Sequence, residues 1–239
     1  MKLDRAIFKQ SHLFFISFFL FMLAGFWLTY FTKFTSQENY RMHLHGITLV
    51  SWCVLLVTQA YLTSTKRHKL HRQLGKLSYI IVPMIAFTTI DLYKFRLNEL
   101  TTLGARDYLF TASVLMALLV FLIYYGLAIW YKNKPAIHAR YMICTVFPMF
   151  TAVFDRIIDS YFPSLLPYFP DVDGPVIQVF GLTLGDSILL ALCIWDWRSH
   201  KRINVFPVAL MIHLIYHYSV LNFYKFEFWR SFSDWYFEL

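Results

Sequence analysis

The sequence predicts an all-α, polytopic transmembrane bundle of about seven helices, with its N-terminus inside and its C-terminus outside. Three observations lead there. Of 239 residues, 58% are hydrophobic and 20% aromatic, while only 15% are charged; soluble domains carry about a quarter charged residues. Mean hydropathy is +0.50. Apolar runs of the roughly 20 residues needed to cross a bilayer recur at 12–31, 43–64, 73–93, 107–131, 138–161, 175–196 and 203–223. Backbone N–H and C=O groups find no water in lipid, so each run must be helical. The runs follow one another too closely for a soluble domain, and residues 1–239 read as a single integral membrane domain.

The first run is too long for a signal-peptide core and has no small-residue cleavage site, so it reads as a retained helix. Lysine and arginine set the orientation. With alternating sides, 14 fall on the face that carries Lys2 and 7 on the other, leaving Arg156 inside a helix. Basic residues favour the cytoplasmic side. The net charge of +8 is then mostly this asymmetry together with attraction to anionic lipid. It points to the bilayer as partner and not to nucleic acid. Cys53, Cys144 and Cys193 fall within helices and lack CxxC spacing, which predicts reduced, apolar-packed thiols. The aromatic tail Leu221–Leu239 reads as an interfacial segment, because Trp and Tyr favour the headgroup level.

An ionisable side chain at bilayer depth costs roughly 2.5–3.5 kcal/mol or more and normally faces a partner inside the bundle. In the second helix His45, Trp52 and Gln59 are seven apart and form one stripe at about 100° per residue. His43 points about 200° away from His45, toward the headgroup boundary. Asp91 ends the third helix, with Lys94 as a neighbouring partner. A continuous fifth helix would put His138 and Arg156 on one face, five turns apart, with Asp155 beside Arg156 and Asp159 within reach of it. Asp186 has no charged neighbour along the sixth helix, so it is either protonated or partnered from another helix. In the seventh, His213 and His217 are four apart and share a face, a spacing that lets two imidazoles hold one metal.

Depth and topology place His45, Asp91, Asp186, His213 and His217 in the outer half. Their convergence would build a site for Zn or non-haem Fe. A second set lies inside: His68 and His71 precede the third helix, His138 opens the fifth, and His71 and His138 could meet across the inner mouth among basic residues that suit an anionic headgroup.

His45–Gly46, Trp52, Gln59, HRQLG at His71–Gly75, IHARYM at Ile137–Met142 and Arg156 together resemble the uncharacterised multi-pass bacterial membrane proteins grouped as DUF2306-like. The likeness covers about half the chain. It implies a polytopic protein of the bacterial inner (plasma) membrane and no assigned reaction. His45, Asp91 and the His213/His217 pair also resemble the residue types of seven-helix zinc hydrolases, the alkaline ceramidase and progestin/adiponectin receptor type. The chain departs from these in lacking their serine ahead of the second-helix histidine. It also sets His45 and Asp91 at the far ends of the hairpin.

Three functions follow as expectations. The first is a metal site with His45, His213 and His217 as ligands and Asp91 or Asp186 as ligand or base, acting as a hydrolase or oxidase on a lipid-like substrate. The second is a haem b cytochrome with axial histidines, His45 with His213 or His217 outside and His71 with His138 inside. The third is a transporter or proton relay through Asp155, Arg156, Asp159, Asp186 and the histidines, with Gln59 and the charged residues supporting whichever site forms. Oligomeric state is left open.

Overall fold

The computed structural model describes residues 2–200 and 204–238. Lys201 and Arg202, counted in the charge bias, and residue 203, the expected start of the seventh run, lie outside the described residues. The α-helices are α1 (Leu3–Trp27), α2 (Tyr40–Ser64), α3 (His68–Gly75), α4 (Ser78–Leu97), α5 (Ala105–Trp130), α6 (Pro135–Cys144), α7 (Phe150–Tyr161), α8 (Gln178–His200), α9 (Val205–Asn222) and α10 (Glu227–Glu238). Seven spans are long and apolar enough to cross a membrane: α1, α2, α3 with α4, α5, α6 with α7, α8, and α9. The chain is an integral membrane protein of the all-α, multi-pass type. Seven crossings put the Leu3 end of α1 and the Asn222 end of α9 on opposite faces, the amino face and the carboxyl face.

Neighbours run α4–α2–α1–α7–α8–α9–α5, and α5 returns to α4. Lipid is as apolar as leucine, so helices associate through close van der Waals packing and hydrogen bonds, which small residues permit. A Cβ at Gly25 of α1 would lie 2.7 Å from the Val153 carbonyl oxygen, and one at Gly181 of α8 would lie 2.7 Å from the Thr151 Cα. Both glycines thus let backbones close on α7, and the α6–α7 span is the most enclosed in the bundle.

Two boundaries differ from expectation for physical reasons. The first helix starts at Leu3 rather than near residue 12. Leu3 and Ile7 are buried, the Leu3 N–H donates to Ser199 Oγ at 3.2 Å, and Asp4 pairs with Arg140. The fifth span is not one helix. It breaks between Cys144 and Phe150 at a short 3₁₀ turn, Phe147–Met149, where Pro148 lacks an N–H to continue the ladder. The five-turn alignment of His138 with Arg156 therefore does not hold.

The aromatic tail folds back as α10. Trp229 Nε1 donates to the Tyr108 carbonyl at 3.0 Å and Lys94 Nζ to that of Tyr236 at 2.8 Å. One side of the tail thereby covers the α4–α5 end, while Phe228 and Trp235 stay exposed. Burial pushes the Tyr236 phenol above its ordinary value.

Candidate functional site

The carboxyl half holds a chamber of about 740 Å³ between α1, α2, α4, α5 and the α6–α7 span. Its walls are mostly apolar, with Phe18, Leu49, Ile85 and Phe121 among them, and His45, the basic Arg96 and Arg156 and the acidic Glu38, Glu99 and Asp155 also reach it. His45 stands on α2 with Nδ1 3.3 Å from Thr88 Oγ1; Thr88 lies 3.2 Å from Thr48 Oγ1. One side of the imidazole is thus held by α4.

The arginines lack ordinary partners. Arg156 Nη1 donates to the Ala152 carbonyl at 3.0 Å and its guanidinium lies 4.5 Å from the Phe26 ring centroid. Arg96 stacks over Phe110 at 4.3 Å. Among the described residues neither forms a salt bridge with a carboxylate. The expected reach of Asp159 to Arg156 is not made, and Asp159 is exposed. Asp155 Oδ1 and Thr29 Oγ1 on the chamber wall are buried without a hydrogen-bond partner. Buried polar atoms are normally satisfied; within the protein these two are not.

Asp91, also near the carboxyl face, is paired with Arg41 at 3.1 Å rather than with Lys94, and this ties α4 to the start of α2. His43 lies in the first turn of α2. Its Nε2 donates to the Gln37 carbonyl at 2.9 Å, so Nδ1 accepts from the Tyr30 hydroxyl at 3.0 Å. Burial raises the Tyr30 phenol above its ordinary value.

Asp186 meets His213 and His217, as the partner-on-another-helix alternative required. His213 Nδ1 donates to Oδ1 at 2.7 Å and His217 Nδ1 to Oδ2 at 2.5 Å. The i, i+4 spacing does align the two rings, but onto one carboxylate. Gly185 makes room: a Cβ there would lie 2.7 Å from His213 Cε1. His213 is fully buried, with Phe147 and Tyr216 edge-on to its ring.

The expected convergence of His45 and Asp91 with Asp186, His213 and His217 is not formed. The α6–α7 span stands between them. Thr151 lines the chamber on one side and lies 3.2 Å from the Tyr216 hydroxyl on the other. Among the described residues no three His, Cys, Asp or Glu side chains gather closely enough to hold a metal ion.

At the amino face His71 and His138 do meet, with ring centroids 6.4 Å apart. His138 Nδ1 donates to the Ala128 carbonyl at 2.8 Å. His71 Nδ1 is 3.2 Å from both the Gln59 carbonyl and Thr63 Oγ1. With its amide nitrogen toward His71, the Gln59 side chain donates to that residue's carbonyl (2.9 Å) and Nδ1 (2.7 Å), and its oxygen accepts from the Gly75 N–H at 3.1 Å.

The amino face also holds a cluster that sequence reasoning missed. Arg140, fully buried, donates from Nε and Nη2 to Asp196 at 2.9 and 2.8 Å. It also meets Asp4 at 2.7 Å. His200 joins both carboxylates, at 3.1 Å to Asp4 and 3.0 Å to Asp196. Arg140 reads in the sequence as one more basic residue at a helix start, and Asp4 and Asp196 as helix-end acids. The one available signal was Asp196 with His200 at i, i+4. Cys53, Cys144 and Cys193 are free thiols, as their spacing predicts.

Comparison with family models, with curated proteins and with solved structures returns no match.

Proposed function

We propose that this membrane protein binds an amphipathic, lipid-like molecule with an anionic head in its carboxyl-half chamber. The observation that carries the reading is the pair Arg96 and Arg156, two guanidiniums without a salt-bridge partner among the described residues, on the wall of an apolar chamber of about 740 Å³. Arg156 lies in the middle of α7, where an unpaired arginine is costly; Arg96 is exposed in the last turn of α4. A phosphate or carboxylate between the two would offset that cost with charge-assisted hydrogen bonds. A tail would lie along Phe18, Leu49 and Phe121. The unsatisfied Asp155 Oδ1 would accept from a hydroxyl or amine of the same molecule. His45, held on one side by Thr88, is the group placed to exchange a proton with it.

The 14-to-7 distribution of Lys and Arg favours an outward-facing chamber, open to the outer leaflet of a bacterial plasma membrane. Catalysis by a bound metal is not part of this reading, because the suspected ligands serve separate structures.

The test is mass spectrometry of lipids retained by protein purified in mild detergent. An acidic amphiphile should co-purify at about one per chain and fall several-fold with Arg96→Gln/Arg156→Gln or with Ala117→Trp, which fills the chamber. Equal retention in all three proteins would overturn the reading.

A further inference from the structure

We propose, resting on that lipid-binding reading, that the head of the chamber's ligand carries a protonated primary amine beside its acidic group, and that Asp155 selects the amine. Phosphatidylethanolamine and phosphatidylserine are of this class. Phosphatidylglycerol lacks the nitrogen, and phosphatidylcholine has the nitrogen without an N–H.

The charges on the chamber wall carry the choice. Two guanidiniums, Arg96 and Arg156, are accompanied there by three carboxylates, Glu38, Glu99 and Asp155. Glu38 precedes α2 and Glu99 follows α4, and both are exposed, so water and salt screen them. Asp155 is different. It stands in α7 within the fifth span, and its Oδ1 is buried without a hydrogen-bond partner among the described residues. The neighbouring Arg156 does not close on it. Consecutive side chains leave a helix about 100° apart. Arg156 turns back to the Ala152 carbonyl and lies over Phe26 of α1. Asp155 shares the face of Thr151, four residues earlier, which lies 3.2 Å from the Tyr216 hydroxyl of α9. One turn of α7 thus brings a cation and an anion to the chamber wall side by side, acting on each other only at longer range.

A head of one sign answers only half of this arrangement. A phosphate or carboxylate drawn to Arg156 brings a second negative charge toward Asp155, and like charges in a poor dielectric repel strongly. A hydroxyl would bond Oδ1 and leave that repulsion in place. An ammonium removes it, and its N–H makes the missing bond a charge-assisted one. A quaternary ammonium brings the charge but has no N–H to donate. The wall therefore favours a head that holds acid and primary amine a few bonds apart.

The experiment is native mass spectrometry of detergent-purified full-length protein after exchange into mixed micelles. The micelles hold equal amounts of phosphatidylethanolamine, phosphatidylcholine and phosphatidylglycerol with identical acyl chains. Wild-type protein should keep phosphatidylethanolamine several-fold over each of the other two. Asp155→Asn should abolish that preference, Asp155→Glu should keep it in part, and Arg156→Gln should lower all three lipids. The proposal is overturned if phosphatidylglycerol or phosphatidylcholine binds wild-type protein as well as phosphatidylethanolamine does, a comparison that needs no variant to fold. It is equally overturned if Asp155→Asn, monodisperse and with unchanged helical circular dichroism, keeps the wild-type preference, the result a protonated Asp155 would give. Failure of the chamber reading looks different: Ala117→Trp then retains every lipid as wild-type protein does, and both proposals fall.

Discussion

The two halves of the bundle treat their charges in opposite ways. At the amino face Arg140 is fully buried, yet it is met by Asp196, Asp4 and the Ala136 carbonyl. In the carboxyl half Arg96 and Arg156 share an apolar chamber without a salt-bridge partner among the described residues, beside a carboxylate oxygen and a hydroxyl that accept nothing. An arginine within a span is costly, and this applies to Arg140 and Arg156; Arg96 is exposed in the last turn of α4. Where the protein supplies the counter-charge itself, the arginine holds helices together, here α1, α6 and α8. Where it does not, the proposed ligand would supply it. Satisfaction, more than the presence of charge, separates a structural cluster from a binding site.

The comparison can be broken from its structural side first. Arg140→Leu should strand two acids and cost about 3–5 kcal/mol, the usual penalty for removing one partner of a buried pair. Thermal unfolding in detergent measures it; a loss below about 1 kcal/mol would show that the cluster is not what fastens the amino face. Next is Gly185→Ala, whose methyl would lie 2.7 Å from His213 Cε1. Pushing that ring off Asp186 should cost about 1–3 kcal/mol, with loss of the His213 imidazole N–H signal by NMR as the local check. Asp186→Asn should cost about 1–3 kcal/mol, because the two imidazoles meet different carboxylate oxygens and the amide nitrogen that replaces one of them cannot accept an N–H.

The chamber should behave differently. Arg156→Gln should change ligand-free stability by less than about 1 kcal/mol while lowering lipid retention several-fold, since the guanidinium makes no salt bridge among the described residues and Asp155 and Asp159 act on it only at longer range. A large stability loss without a retention change would move Arg156 to the structural class. The smallest effect is expected for Arg41→Ala. Its partner Asp91 and Arg41 itself are each about 30% exposed, so the pair is worth roughly 0–1 kcal/mol, measurable by the same melt.

Much of the architecture was legible because lipid leaves the chain few choices. A run of some 20 apolar residues must be a helix, so the number and order of spans follow from composition alone. The break at Pro148 was also written in the sequence and was read through as continuous helix. The polar residues were legible as anomalies but not as assemblies. Asp186 required a partner on another helix, and His213 and His217 at i, i+4 required a shared one. Nothing along the chain says that these two requirements answer each other.

By itself, then, the sequence determined a seven-span helical membrane protein and, wherever a span is one unbroken helix, the face each ionisable side chain occupies on it. Those follow from local rules: hydrogen-bond satisfaction in lipid and about 100° of rotation per residue. Only the tertiary structure decided which faces meet. It placed the α6–α7 span between His45 and the His213–Asp186–His217 triad, drew His71 against His138, and closed α1 on Arg140. Helix neighbours are chosen by close backbone packing at residues such as Gly25 and Gly181, a property of pairs of surfaces that no single run of residues contains.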